Sequence, residues 1–207
     1  MSALQKSPSH ERLLRAATEV FGARGYHAAR VSDIVAQAGV AQGTFYLHFK
    51  SKEAIFLCLI DDFFGRLLGE TLGRFPASAV ADTGELAVQL REMWCAILKH
   101  CRSEAVLTSL VLREARAVAP KTRVHVEEWF SQMVGDINGY LRALSALGLV
   151  RKGLTDASAW AIFGLIERAI HYAVVVNREI EVEALAVEML QLELTGLLGD
   201  RTDVATP

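Results

Sequence analysis

Gly39-Val40-Ala41-Gln42-Gly43-Thr44-Phe45-Tyr46-Leu47-His48-Phe49 reads GVAQGTFYLHF and sets a glycine turn directly before a dense run of aromatic and polar side chains. Just upstream, Val31, Ile34, Val35 and Ala38 recur at i, i+3, i+4 and i+7, which predicts a short helix that Gly39 ends. Helical spacing resumes a few residues later. Two short helices joined by a tight turn and packed on a longer preceding helix make a helix-turn-helix, whose second member enters the DNA major groove.

A rotation of 100° per residue places Phe45 and Phe49 on the inward face of a helix from Ala41 to His48. Gly43 and Leu47 then lie opposite, with Thr44 and Tyr46 on the flanks. Phe45, Phe49 and Val40 suit a small core, whereas Leu47 projects outward toward something apolar such as a thymine methyl group. Gly43 lets the backbone approach closely, and Gln42 can pair with an adenine edge. Thr44, Tyr46 and His48 carry donors suited to phosphate oxygens, and Lys50 and Lys52 stand at the start of the next helix, where an anion is favoured.

Outward from this stretch, Ser7-Pro8 is a good N-cap and first position for a helix carrying Leu13, Ala16, Ala17, Val20 and Phe21, which should stop at Arg24-Gly25. From Ser51 a long apolar helix runs to about Gly73, too broad in its apolar rows for the small N-terminal unit to cover alone. A loop is expected over 74–84, then five helices at roughly 85–102, 104–118, 120–147, 156–177 and 181–198, with 200–207 as a frayed tail. The fold class is all-α with about nine helices, divided into an N-terminal domain over 8–68 and a second domain over 69–200.

With 207 residues and 52% hydrophobic content the chain can bury a large core. Its net charge of −2 conceals an asymmetry: residues 1–52 hold seven Lys and Arg against three Asp and Glu, a local +4 that leaves −6 for the remainder. A small basic part joined to a larger acidic one favours a polyanion-binding module attached to something else. No secretory leader and no uninterrupted apolar run of about 20 residues is seen, so a cytoplasmic protein with no membrane partner is expected. Cys58, Cys95 and Cys101 lack metal or redox spacing and read as buried thiols.

Residues 8 to about 68 resemble the N-terminal domain of the TetR family of bacterial transcriptional regulators. The resemblance is carried by Phe21-Gly22-Ala23-Arg24-Gly25-Tyr26, Val31-Ser32-Asp33-Ile34, GVAQGTFYLHF, and Lys50-Ser51-Lys52-Glu53. It implies that Ser32, Gln42, Gly43, Thr44, Tyr46, Leu47, His48 and Lys52 occupy positions contacting double-stranded operator DNA. Two hydroxyl caps common in the family are replaced by Arg30 and Ala41; each such loss could cost about 1 kcal/mol, and Arg30 could recover affinity through a phosphate.

For the C-terminal part the resemblance implies a cavity for a small inducer and a homodimer formed by the last two helices. The helix over 181–198 supports the dimer on its own, because Leu185, Met189, Leu192 and Glu193 lie on a surface broad enough for its own domain and a partner. Trp94, Leu98, Trp129, Met133, Phe130 and Phe163 could line an apolar cavity or simply be core. Trp160, Gly164, Glu167 and His171 share one stripe; Glu167 and His171 read either as cavity groups, as a local i,i+4 pair, or as satisfied across the dimer. Arg113 and Glu114 invite the same alternatives. An inducer of largely apolar character, cationic if a carboxylate faces it, is expected.

Catalysis is the rival class. No E-x-x-H occurs, and the six His show no metal-ligand spacing. G-x-S-x-G, P-loop and dinucleotide-binding glycine patterns are also missing, so no catalytic residue, metal or cofactor is assigned. A second rival is a helix-turn-helix regulator controlled by a protein partner, which a solidly packed C-terminal part would favour. The reading of choice is a ligand-released homodimeric repressor.

Overall fold

Nine α-helices and no strand are found among the described residues, 7–113 and 120–198, of this computed structural model. They are α1 (Pro8–Ala28), α2 (Val31–Ala38), α3 (Gln42–His48), α4 (Lys52–Glu70), α5 (Thr83–Ser103), α6 (Ala105–Arg113), α7 (Pro120–Ala146), α8 (Asp156–His171) and α9 (Val182–Leu198). A 3-10 turn, Ala77–Ala79, lies in the expected loop, and a π-helical turn, Tyr172–Val176, follows α8. The all-α expectation holds. The C-terminal end of the helix expected over 104–118, with Glu114 in it, and the tail over 200–207 lie outside the described residues.

The chain forms two compact units, Met1–Gly65 with Glu104–Glu128, and Arg66–Ser103 with Trp129–Pro207. In the first, α1 starts where the Ser7 hydroxyl accepts the His10 N–H at 3.3 Å and Pro8 occupies the first turn. Gly25 breaks it with φ 74° and ψ 160°, a conformation essentially reserved for glycine. The chain nevertheless takes one further turn to Ala28. α2 ends on Gly39 in the left-handed region at φ 62°, with the Gly39 and Val40 N–H groups returning to Ala36 and Val35.

Phe21, Ile34, Phe45, Ile55, Phe56 and Ile60 are completely buried in this unit, and Phe21 meets Phe56 edge-on at 5.4 Å between centroids. α1 also packs on α6 at close range: a Cβ placed on Gly22 would lie 2.3 Å from Cγ1 of Val106. That contact gives the glycine of the FGARGY stretch a steric reason.

In the second unit α5 packs on both α9 and α8, and Leu86 and Leu98 of α5, Ala159 of α8 and Ala186 of α9 have no exposed surface. The expected single helix over 156–177 instead stops at His171. Two arginines donate to carbonyls of the π turn: Arg102 Nη2 to that of Ala173 (3.4 Å) and Arg178 Nε to that of Val174 (3.0 Å), while Arg102 Nη2 also donates to the Ile180 carbonyl beyond the turn (2.8 Å). Residues 156–176 are long enough, with a mean hydropathy of 1.5, to cross a membrane by length and composition, although Glu167, Arg168 and His171 interrupt the run. The cysteines are less uniform than expected, with Cys101 buried and Cys58 and Cys95 half-buried.

Candidate DNA-reading face and apolar cavity

α3 separates its two faces sharply. Phe45 is completely buried and Phe49 nearly so, whereas Leu47 is 84% exposed and Tyr46 52%. Gln42 and Gly43 are exposed at the start of the same helix, and a Cβ on Gly43 would meet nothing within 4 Å. The outward surface is therefore Gln42, Gly43, Tyr46 and Leu47, with Thr44 half-buried beside it and Ser32 exposed on the first turn of α2. A large apolar side chain left in water at the centre of a polar helix face is suited to meet an apolar group on a partner.

Of the two hydroxyl caps missing from the sequence, the one at α2 is offset from within the helix and the one at α3 is not. At α2 the Asp33 carboxylate accepts the Arg30 backbone N–H at 2.9 Å and pairs through its other oxygen with Arg24 at 3.0 Å. This is the returning half of a capping box, supplied from the third helical position. The Arg30 side chain is left exposed. α3 has no side-chain cap at Ala41.

Two of the expected phosphate contacts have partners inside the protein. His48 Nε2 lies 2.9 Å from Ser9 Oγ and 3.5 Å from Ser7 Oγ, tying the end of α3 to the start of α1. Lys52 Nζ donates to the carbonyls of Tyr26 (2.7 Å), His27 (3.3 Å) and Ala29 (2.8 Å) and sits 4.4 Å from the Tyr26 ring centroid. Lys50, by contrast, is exposed. No sequence spacing signals the Ser9 and Tyr26 to Ala29 partners, which come from another element 23 to 39 positions away.

In the second unit, Trp94, Leu90 and Ile97 of α5, Leu141 and Leu144 of α7 and Ile162 and Ile166 of α8 surround a cavity of about 50 Å³. Its polar wall groups are Glu193 and Tyr140. Trp94 Nε1 donates to Glu193 Oε2 at 2.8 Å, and the Tyr140 hydroxyl accepts from Gln89 Nε2 at 2.9 Å. Burial raises the Glu193 pKa against the opposing pull of the Trp94 hydrogen bond, and burial likewise raises that of Tyr140.

Of the residues considered for a ligand, Trp94 lines this cavity. Leu98, Met133 and Phe163 are buried beyond its wall, Phe163 meeting Phe130 at a tilt of 54° with ring centroids 5.2 Å apart. Trp129 and His171 are half-buried, and Glu167 takes a hydrogen bond from Arg168 at 3.2 Å. Of the residues considered for a dimer, Leu185 is buried in its own unit, Met189 is half-buried, Leu192 is 58% exposed and Glu193 faces the cavity. Trp160, Tyr172, Val176 and Val187 are large apolar groups that reasoning from sequence did not assign and that stand substantially exposed on α8, the π turn and α9.

The family model described as bacterial regulatory proteins, tetR family, matches residues 13–59. The fatty acid metabolism regulator protein of Bacillus subtilis is 30% identical over 200 residues, spanning 93% of this chain and 97% of that one. Among solved structures, the transcriptional regulator FadR from Bacillus subtilis in complex with stearoyl-CoA superposes with a TM-score of 0.78 at 26% identity, covering 90% of this chain and 98% of that one. The fatty acid degradation regulator FadR from Bacillus halodurans shares the fold with a TM-score of 0.81 at 24% identity, covering 93% and 97%.

Proposed function

The chain belongs to the tetR family of bacterial regulatory proteins and is a DNA-binding transcriptional regulator, and from that premise we propose a homodimeric repressor released from its operator by a long-chain acyl-CoA. Residues 8–68 serve as the DNA-reading part, with Gln42, Gly43, Tyr46 and Leu47 toward the bases and Arg30, Thr44 and Lys50 toward phosphates. Residues 69–200 serve as the regulatory and dimerising part. No catalytic step is assigned to either.

The cavity carries the ligand reading. Its wall is apolar apart from Glu193 and Tyr140, and Glu193 is held on Trp94, so it favours an alkyl chain over a polar or anionic group. A cavity of about 50 Å³ has room for a few waters, at about 10–15 Å³ each, and not for a long acyl chain. Entry therefore requires α5, α7 and α8 to separate, so that binding and a change of shape are one event. α4 and α7 each contribute residues to both units, which gives the shift a covalent route to the DNA-reading part. Release follows if the ligand prefers the separated arrangement.

The dimer reading rests on Trp160, Tyr172, Val176 and Leu192. The first three lie in the apolar segment 156–176, only one-third buried in a single chain, and Leu192 is exposed on α9; a second copy would cover them. Direct binding tests the ligand reading: stearoyl-CoA titrated into the protein should change tryptophan fluorescence through Trp94 and saturate, whereas CoA without an acyl chain should not. Equal responses to both would remove the acyl-chain reading.

A further inference from the structure

The structure assigns Lys52 a role different from the phosphate contact its position suggests: we infer that it is a positioning residue, a clasp that closes the helix-turn-helix into a ring. An ammonium has three N–H donors, and three backbone carbonyls, those of Tyr26, His27 and Ala29, lie 2.7, 3.3 and 2.8 Å from it. Its donor set is thereby matched without DNA. The Tyr26 ring centroid lies 4.4 Å from the same nitrogen, and an aromatic face attracts a cation.

Helix electrostatics point the same way. Lys52 is the first residue of α4, where the positive end of the helix dipole disfavours a cation. The carbonyls it meets lie just past the Gly25 break of α1, around its C-cap Ala29, where a cation can hydrogen-bond to the closing carbonyls. A lysine at this site is explained by the far end of its side chain, not by the helix it starts. Burial also lowers the Lys52 pKa, as expected of an ammonium partly withdrawn from water.

The clasp is placed to set the geometry of the DNA-reading pair. Ala29 leads into Arg30 and α2, while Lys52 follows α3 after Phe49, Lys50 and Ser51. A single side chain thus joins the two ends of the whole segment from α2 to α3, closing it as a cross-link would. Any displacement of the start of α4 is passed to the corner before α2.

The experiment compares wild type, Lys52→Met, Lys52→Arg and Lys50→Ala on two duplexes, an operator recovered by sequencing protein-bound genomic DNA and a mixed-sequence fragment, over a series of salt concentrations. The clasp predicts that Lys52→Met weakens operator binding about tenfold or more, leaves mixed-sequence binding within about threefold, and keeps the salt slope of wild type. Lys50→Ala should lower the slope by about 0.9 for each phosphate that Lys50 neutralises. A Lys52→Met slope that falls like that of Lys50→Ala would overturn the inference in favour of a phosphate-binding role. Equal weakening on both duplexes, in step with a lower folded fraction, would overturn it in favour of a purely structural role, and unchanged binding would overturn it outright. Should Lys52→Met fail to fold, Lys52→Arg decides: it keeps the charge a phosphate needs but cannot bring a planar fork onto three converging carbonyls. The clasp therefore predicts loss of operator preference in Lys52→Arg, and wild-type preference would contradict it.

Discussion

Phe45 and Leu47 are two positions apart on a seven-residue helix, and they differ from zero to 84% in exposure. Their truncations should separate stability from recognition. Phe45→Ala removes a fully buried ring and should cost about 3–5 kcal/mol in a urea or thermal unfolding measurement. Leu47→Ala should change stability by less than about 0.5 kcal/mol and yet weaken operator binding, the loss being larger on operator than on mixed-sequence DNA. The contrast between the two residues was legible in the sequence, because one helical turn fixes which of them faces the core. Glu193 was not: it was expected at a dimer surface, and its cavity position depends on Trp94, 99 residues away. Its raised pKa has a definite sign. A carboxyl easier to protonate when folded adds stability below its unfolded pKa of about 4.3 and loses it as pH rises through the higher folded value. Glu193→Gln keeps an oxygen for the Trp94 N–H without a buried charge. It should raise the unfolding temperature at pH 7, with the gain over wild type closing as the pH falls toward about 4.3.

Among the elements, α2 shows how a helix boundary can be read even where its usual cap is missing. The periodic apolar set and Gly39 fix both ends, and Asp33 anchors the first turn from within the helix by accepting the Arg30 N–H, the half of a capping box that does not need a hydroxyl at position 30. α8 shows the limit. Its apolar pattern runs on past His171, and in the π turn the carbonyls of Ala173 and Val174 accept from Arg102 and Arg178, a tertiary arrangement that periodicity does not contain. The packing of α1 on α6 is of the same kind. Gly22 looks like a weak helix residue until Val106 is placed against it. Gly22→Ala should destabilise by about 1–3 kcal/mol through overpacking, despite alanine's better helix propensity. Adding Val106→Ala should recover most of that loss, because Val106 is 46% exposed and its own truncation is mild. Additive effects in this double-mutant cycle would mean the close approach is not the reason for glycine.

At the scale of the whole molecule, two kinds of surface matter: a polar helix face with one exposed leucine, and an apolar cavity in a separate unit. The first was visible from sequence because its residues are contiguous. The second is assembled from α5, α7, α8 and α9, so that of the aromatic and methionine residues considered for it only Trp94 forms its wall. The proposed function links the two surfaces by a ligand-driven shift, and regulation stands or falls with that link. It can be followed by the fluorescence anisotropy of labelled operator DNA bound to the protein and titrated with stearoyl-CoA, in parallel with Ile162→Trp, which fills the cavity wall. Stearoyl-CoA should free the operator from wild type, while the filled variant should bind operator normally and hold it through the same titration. An operator that stays bound to wild type at saturating stearoyl-CoA, or leaves both proteins alike, would contradict a ligand-driven release.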